Sequence, residues 1–307
     1  MIIMKPLIVI AGPTATGKSA VAIELAQMIG GEIVSADSMQ VYKYMDIGTA
    51  KPTAADLAVV KHHMIDLVEP DYEFNAAIFY NKAKAVVKEI HGRGKTPIIA
   101  GGTGFYINAL LHNNEFESYE NKNNDYRNEL YKENEEVLFA KLLETDPEYA
   151  QTTHIHNIKR VVRALEYYYQ TGEKFSEYNR RNKENRASEY DFKFYILTRD
   201  REKLYNGINK RVDKMIELGL IDEVKSLLER GYTRSMTSMQ GLGYKEICAY
   251  LNGENTRNNA IDMVKQGTRR FAKRQITWFK NQTEGIWLDV DSQSITSLAR
   301  TVNLQGE

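Results

Sequence analysis

The chain has 307 residues, enough for one α/β domain with an insertion or for two domains. Its 41 basic and 41 acidic side chains cancel, and 42% apolar residues can build a sizeable core. Cys248 is the only cysteine, which excludes an intrachain disulfide and a cysteine-based zinc site. The apolar run at 6–11 is too short for a secretion signal or a membrane span. We therefore expect a cytoplasmic monomer that does not enter a membrane.

The zero net charge conceals three charged stretches. Residues 115–148 carry eleven acidic and four basic side chains, whereas residues 156–186 carry eight basic and four acidic ones. Residues 257–280 carry seven basic side chains and one acidic one. Basic stretches of this kind can bind a phosphate backbone, and each can equally be a solvated helix face.

Hydrophobic periodicity predicts short buried strands alternating with helices. This alternation is typical of right-handed βαβ units and a parallel sheet. The predicted strands are residues 6–11, 32–36, 96–100, 192–197 and 286–288, and the predicted helices include 19–29, 76–93, 160–169, 201–218, 221–229 and 258–280. The sequence between 115 and 189 is polar and helix-rich instead. We therefore predict an α/β fold with a parallel-sheet core, residues 1–114 with 190–307, and a helical insertion at 115–189. The loop described next makes this core P-loop NTPase-like.

A phosphate-binding loop follows the first predicted strand. The sequence GPTATGKS matches the P-loop pattern G-x-x-x-x-G-K-[ST] and stands between a strand and a helix, the context that the motif requires. Backbone N–H groups and the helix N-terminus attract phosphate oxygens, the lysine adds a full charge, and the final hydroxyl can hold Mg²⁺. The predicted phosphate-binding residues are Gly12, Pro13, Thr14, Ala15, Thr16, Gly17, Lys18 and Ser19, with Ser19 as the metal ligand.

The acid expected of an ordinary P-loop kinase or hydrolase is absent from its usual place. The strand at 96–100 ends in Gly-Gly-Thr-Gly, whereas the strand at 32–36 ends at Asp37. Both lie at the carboxyl edge of the predicted sheet, where open α/β sheets bind ligands. Asp37 can act as a base, a metal ligand or a helix cap. Thr103 can open an anion-facing helix or belong to a plain turn.

Several segments together resemble bacterial tRNA dimethylallyltransferases, also called tRNA isopentenyltransferases. The likeness extends from about residue 5 to 288, nearly the whole chain, and the combination is far more specific than the P-loop alone. The matching segments are GPTATGKS at 12–19, SADSMQVYKYMDIGTAKP at 35–52, AGGTGFYINALL at 100–111, KRVVRALE at 159–166, RVDKMIELGL at 211–220, QGLGYKE at 240–246 and AKRQITWFK at 272–280.

The resemblance implies an enzyme that moves the dimethylallyl group of dimethylallyl diphosphate to N6 of the adenosine 3′ to the tRNA anticodon, with Mg²⁺. It implies that Lys18, Thr103 and Arg211 contact the diphosphate and that Asp37 is the general base. It also implies that the insertion grips the anticodon stem-loop. The tRNA-binding residues implied by the resemblance are Asp37, Ser38, Met39, Gln40, Lys159, Arg160, Val161, Val162, Arg163, Gln240, Gly241, Leu242, Gly243, Tyr244 and Lys245.

One position departs from the family pattern. The family often carries an arginine four residues before the Arg211 position, and Gly207 stands there in this chain. A diphosphate or tRNA contact is then either missing or supplied by another residue. The alternatives to tRNA prenyl transfer are a P-loop nucleotide kinase, a relative that prenylates free AMP, ADP or ATP, and a non-catalytic RNA-binding module.

Overall fold

A computed structural model describes residues 4–112, 125–184 and 187–304. The chain forms two compact units, one made of Met1–Leu111 and Glu189–Glu307 and the other of His112–Ser188. The predicted start of the insertion, residue 115, lies outside the described residues. Within the described ranges, no helix is both long and apolar enough to cross a membrane.

The larger unit contains a sheet of six strands in the described residues. All neighbouring strands are parallel, in the order β3-β2-β4-β1-β5-β6. The strands are β1 Lys5–Ala11, β2 Glu32–Ser35, β3 His62–His63, β4 Pro97–Gly101, β5 Tyr190–Thr198 and β6 Ile286–Asp289. The α/β fold with a parallel sheet, predicted from the sequence, is confirmed.

Helices cover both faces of this sheet because its strands are apolar on both sides. Along β1, Leu7 and Val9 join one core, and Ile8 and Ile10 join the other. The helices are α1 Lys18–Ile29, α2 Ala54–Val59, α3 Ala76–Gly92, α4 Gly104–Leu111, α10 Arg201–Glu217, α11 Leu220–Glu229, α12 Tyr244–Leu251, α13 Arg257–Gln282 and α14 Ile295–Leu304. The short helix Ser238–Gln240 has 3-10 geometry.

The smaller unit is helical where it is described. Its helices are α5 Asp125–Leu130, α6 Glu135–Thr145, α7 Pro147–Gln151, α8 Ile158–Thr171 and α9 Phe175–Glu184. Leu142, Leu165 and Tyr167 lie in its own core. Glu166 is buried and accepts a hydrogen bond from Arg127 at 2.7 Å, which compensates the buried charge.

Parallel strands bring the segments after β1, β2, β4 and β5 to one edge of the sheet. Two glycines permit the close approach of these segments. A Cβ on Gly12 would lie 2.4 Å from the Leu197 carbonyl oxygen, and one on Gly101 would lie 2.2 Å from the Ala36 carbonyl oxygen. A larger residue at either position would push the phosphate loop or the Asp37 segment away from this edge.

Candidate active site

The phosphate loop, residues 12–19, follows β1 and leads into α1, and two of its side chains donate hydrogen bonds to its own backbone. The Lys18 ammonium donates a hydrogen bond to the Pro13 carbonyl oxygen at 2.7 Å, and the Thr16 hydroxyl donates to the same oxygen at 2.8 Å. Ala15 and Gly17 have φ angles of 63° and 82°, both left-handed. Because α1 begins at Lys18, the unpaired N–H groups of its first turn face the loop.

Three charged side chains influence one another beside this loop. Burial lowers the pKa of Lys18 to about 7, the Arg211 cation acts in the same direction, and the Asp37 carboxylate opposes both. Burial also lowers the pKa of Arg211, and Asp37 opposes that effect as well. Arginine remains protonated in proteins, so Arg211 keeps its charge. A diphosphate bound beside Lys18 and Arg211 would therefore raise the pKa of Lys18, and the lysine would take up a proton.

Asp37 and Thr103 are held together by backbone contacts between the ends of β2 and β4. The Thr103 N–H donates to the Ala36 carbonyl oxygen at 3.1 Å, and the Ser38 N–H donates to Thr103 Oγ1 at 3.1 Å. Asp37 Oδ1 accepts the Met39 N–H at 2.8 Å. Asp37 therefore caps the turn that follows it, and the same carboxylate lines the cavity described below.

Gln275 bridges the phosphate loop and the end of β4. Its Oε1 accepts the Thr14 N–H at 3.1 Å, and its Nε2 donates to the Gly102 carbonyl oxygen at 2.9 Å. The side chain is 7% exposed. Gln275 is not among the residues predicted from the sequence, although it lies three residues after Ala272 and four before Phe279, on the buried stripe of α13. A polar residue on such a stripe is the signal that would have found it.

These segments enclose a cavity of about 630 Å³, a size typical of small-molecule sites. Its lining includes the phosphate loop, Asp37, Thr103 and Arg211. Of the predicted tRNA-binding residues, Asp37, Ser38, Met39, Gln40, Gln240, Gly241, Leu242, Gly243, Tyr244 and Lys245 line it as well. Gly243 and Tyr244 are buried, so they form the wall of the cavity and present little exposed surface.

Glu223 on α11 fixes one wall of this cavity. Its carboxylate accepts the backbone N–H groups of three successive residues, Asp46, Ile47 and Gly48, at 2.7–3.0 Å. The Tyr244 hydroxyl donates to the same carboxylate at 2.7 Å. Residues 48–50 line the cavity, so Glu223 sets their position through the backbone. The sequence offers no signal for this role, because the donors are backbone groups.

The predicted tRNA-binding residues of α8 belong to the smaller unit. Lys159, Arg160 and Arg163 are exposed, and the Arg163 guanidinium lies 5.7 Å from the centre of the Phe175 ring. Val161 and Val162 are each 1% exposed and pack in the core of that unit. The structure therefore places these two predicted tRNA-binding residues inside the core of the smaller unit, where their side chains present almost no surface to a ligand. They lie on the apolar face of an amphipathic helix, and the neighbouring cations lie on its polar face.

The metal site predicted at Ser19 rests on a single protein oxygen. Ser19 is exposed in the first turn of α1 and lines the cavity that also contains Asp37. Within the described residues, no group of three or more histidine, cysteine, aspartate or glutamate side chains is arranged to hold a metal. This donor set fits Mg²⁺, which commonly takes one or two protein ligands and completes its shell with phosphate oxygens and water.

The fold and this cavity define a P-loop protein in which the loop and the Asp37 carboxylate line the same ligand-sized cavity. Comparisons with known proteins show to which family the chain belongs. A sequence model of the IPP transferase family matches residues 40–282. A tRNA dimethylallyltransferase of Lachnoclostridium phytofermentans is 48% identical over 289 residues, which are 93% of this chain and 92% of that protein.

Solved structures agree with the sequence match. The tRNA isopentenylpyrophosphate transferase of Bacillus halodurans is 41% identical with a TM-score of 0.74, and the match covers 98% of this chain and 95% of that one. A eukaryotic dimethylallyltransferase acting on tRNA has a TM-score of 0.85 at 31% identity, over 98% of this chain and 78% of that one. The chain belongs to the IPP transferase family and is a prenyl-transferring enzyme, as the resemblance predicted.

Proposed function

We propose that the protein transfers the dimethylallyl group of dimethylallyl diphosphate to the N6 amine of the adenosine 3′ to the anticodon in tRNA. One observation carries this proposal: a single cavity contains a phosphate loop with two cations, Lys18 and Arg211, and the Asp37 carboxylate. The names of the similar proteins support dimethylallyl transfer to tRNA, and the position of the adenosine is what the sequence resemblance implies.

The chemistry of the reaction suits these residues. The C1–O bond of the allylic diphosphate breaks with its electron pair leaving on the diphosphate, and the adenine N6 forms the new bond to C1. Lys18, Arg211 and the loop N–H groups stabilise the charge that develops on the leaving group. The surplus proton of N6 passes to Asp37, which acts as the general base. The cavity orients donor and acceptor, which removes much of the entropic barrier.

Mg²⁺ would be held by the Ser19 hydroxyl together with diphosphate oxygens. When bound, the ion neutralises part of the charge on the diphosphate. The protein's own contribution would be the Ser19 hydroxyl at the N-terminus of α1.

We further propose that tRNA binds through the cavity segments 37–40 and 240–245 and through the cations of the smaller unit, Lys159, Arg160 and Arg163. A base inside a stem-loop must leave its stack to reach the Asp37 carboxylate in the cavity, as in other base-modifying enzymes. Single-stranded loops present splayed bases and backbone phosphates, and exposed lysine and arginine side chains suit the latter. A tRNA substrate also supports action in the cytoplasm, as a monomer that binds one anticodon stem-loop.

The decisive experiment incubates the protein with an unmodified tRNA transcript, dimethylallyl diphosphate and Mg²⁺, without any nucleoside triphosphate. Nucleosides are then analysed by mass spectrometry, and we expect N6-dimethylallyladenosine. The control transcript carries guanosine in place of the adenosine 3′ to the anticodon and should remain unmodified. Free AMP, ADP and ATP serve as competing acceptors. Prenylation of these nucleotides without prenylation of the transcript would contradict the proposal, and so would a requirement for ATP with transfer of its γ-phosphate.

A further inference from the structure

The structure shows how the phosphate loop is held at its most strained residue, Ala15. This residue has a left-handed φ of 63°, a conformation that residues with a Cβ rarely adopt. Such a conformation persists only where the surrounding structure enforces it. The Arg199 guanidinium, at the end of β5, donates a hydrogen bond from Nη1 to the Ala15 carbonyl oxygen at 3.3 Å. The methyl group of Ala15 packs against the small cluster formed by Leu204 and Ile208 of α10.

Arg199 is itself fixed by an acid that follows the neighbouring strand, β6. Asp291, after β6, accepts hydrogen bonds from Arg199 Nη2 at 2.8 Å and Nε at 3.3 Å. The other oxygen of Asp291 accepts the Asp200 N–H at 3.2 Å, and the Arg199 contact holds the pKa of Asp291 below its usual value. The side chains of Arg199 and Asp291 are 26% and 13% exposed. Their opposite charges largely cancel, so Arg199 influences the loop through its hydrogen bond more than through its charge.

Gly207 provides the space that this arrangement requires. A Cβ at position 207 would lie 3.6 Å from Arg199 Nη1 and 3.8 Å from the Ala15 Cβ. Any longer side chain there would compete with the guanidinium for the place beside the loop. Gly207 is therefore the residue against which the Arg199 guanidinium packs.

The consequence for phosphate binding follows from the planarity of the peptide bond. In a trans peptide the carbonyl of Ala15 and the N–H of Thr16 point in opposite directions. Fixing the Ala15 carbonyl toward Arg199 therefore directs the Thr16 N–H away from Arg199. A phosphate loop binds its ligand through the orientation of such N–H groups. Arg199 does not line the cavity, so it acts through the loop and does not touch the substrate.

We propose that Arg199, tethered by Asp291 and accommodated by Gly207, is a positioning residue that orients the phosphate loop for the diphosphate. This inference rests on the proposed function, because it assumes that the loop binds the donor diphosphate. It concerns a residue that neither the P-loop motif nor the predicted site includes.

The test compares Arg199→Met, which removes the donors at similar length, with Asp291→Asn, which breaks the ion pair and leaves the Ala15 hydrogen bond available. Arg201→Met is the matched control, since Arg201 is exposed two residues away and packs on Tyr205. Affinity for inorganic diphosphate is measured by calorimetry, KM for dimethylallyl diphosphate and kcat by turnover, and folding by thermal unfolding. We expect Arg199→Met to weaken diphosphate binding about tenfold, the effect of one interaction of ordinary strength. Asp291→Asn should weaken diphosphate binding clearly less than Arg199→Met does, and Arg201→Met should leave it unchanged. Arg199→Lys should bind diphosphate more tightly than Arg199→Met.

A purely structural role predicts a different pattern. Arg199→Met and Asp291→Asn would then lower thermal stability equally and weaken diphosphate binding by the same factor, without recovery in Arg199→Lys. That result would overturn the inference. Lys18→Met separates this failure from failure of the proposed function. If Lys18→Met abolishes diphosphate binding and Arg199→Met leaves it unchanged, only the role of Arg199 is wrong. If Lys18→Met binds diphosphate like the wild type, the phosphate site itself is misassigned and both proposals fail.

Discussion

The side-chain amide of Gln275 accepts the backbone N–H of Thr14 at 3.1 Å, across a sequence separation of 261 residues. Its amide nitrogen donates to the Gly102 carbonyl oxygen, so one side chain sets the distance between the phosphate loop and the end of β4. Thr103, which follows Gly102, lines the cavity. Gln275 therefore links the proposed donor site to the residue that supports the Asp37 segment.

We predict that Gln275→Leu destabilises the protein by about 1–3 kcal/mol, because it leaves buried backbone groups without their partners. Donor binding should weaken as well, since the loop and the end of β4 would no longer be held at a fixed distance. Urea unfolding and the KM for dimethylallyl diphosphate measure the two effects. Gln266→Leu is the matched control, because Gln266 is an exposed glutamine on the same helix. Equal stability and equal KM in both variants would show that the bridge is dispensable.

The fold could be predicted from the sequence where hydrophobic patterns were strong. The strand predicted at 96–100 is β4, Pro97–Gly101, and the helix predicted at 258–280 is α13, Arg257–Gln282. The strand β3, His62–His63, was missed because it has two residues and neither is apolar. Such a strand is defined by its pairing with β2, which a local pattern does not contain.

Some residues of the candidate site could likewise be predicted from the sequence, and others could not. The P-loop motif identified Lys18 because the loop, strand and helix are consecutive in sequence. Glu223 and Arg199 were missed because each contacts backbone groups of a distant segment, and a backbone N–H or carbonyl has no sequence signature. Gln275 was missed although its place on the buried stripe of α13 could have marked it. The two buried valines of α8 entered the predicted tRNA-binding set because a continuous motif was transferred as a block. A helix turns successive residues to different faces.

A second prediction separates the two roles of Asp37, as a cap and as a base. Asp37→Asn keeps an oxygen that can accept the Met39 N–H but cannot take a proton from the substrate, whereas Asp37→Ala loses both functions. We expect both variants to bind tRNA nearly as the wild type does and to lose ~10²–10⁴-fold in the chemical step, the usual scale for a general base. That loss corresponds to about 3–5 kcal/mol of activation free energy.

Single-turnover rates and thermal unfolding test this prediction together. Asp37→Asn should retain most of the wild-type stability, whereas Asp37→Ala should lose about 0.5–1.5 kcal/mol with its hydrogen bond. If Asp37→Asn kept more than a tenth of the wild-type rate and only Asp37→Ala were slow, the carboxylate would act as a cap and not as the base.

A third prediction concerns pH and Lys18. The pKa of Lys18 is lowered to about 7, first by burial and then by Arg211, so the lysine loses its charge as the pH rises through neutrality. Diphosphate binds the protonated form better, so binding above pH 7 requires uptake of a proton and affinity should fall as the pH rises. The effect on folding has the opposite sign. Between pH 7 and the unfolded pKa of 10.5 the unfolded chain holds the extra proton, so this group makes the unfolding free energy rise with pH.

Calorimetry with inorganic diphosphate in EDTA, in two buffers of different ionisation enthalpy, measures the proton uptake directly. Lys18→Arg provides the control, because arginine keeps its charge throughout this range and the protons that diphosphate itself binds are the same in both titrations. We expect the wild type to show the steeper loss of affinity between pH 7 and 9. Identical slopes in the two proteins would mean that Lys18 keeps its charge throughout this range.

The last prediction distinguishes tRNA binding from chemistry. Lys159 and Arg163 lie one turn apart on the exposed face of α8, and within the described residues neither forms an ion pair, although Arg163 packs over Phe175. Each lost phosphate contact should lower the slope of log affinity against log salt by about 0.7 on a single strand. We therefore expect Lys159→Ala with Arg163→Ala to weaken tRNA binding and to reduce the slope by about 1.4. Binding of dimethylallyl diphosphate should not change.

Two further variants make this test specific. Arg211→Ala should show the reverse pattern, with poor donor binding and poor turnover but an unaltered salt slope, because Arg211 lines the cavity. Lys132→Ala with Arg180→Ala removes two exposed cations of the same unit that already pair with Glu129 and Glu148, so the salt slope of its tRNA binding should match the wild type.

The competing interpretation is that Lys159 and Arg163 stabilise the smaller unit by pairing with the acidic stretch 115–148, part of which lies outside the described residues. It predicts an unchanged salt slope and lower thermal stability in the Lys159 and Arg163 double variant, and that combination would refute the phosphate-contact account.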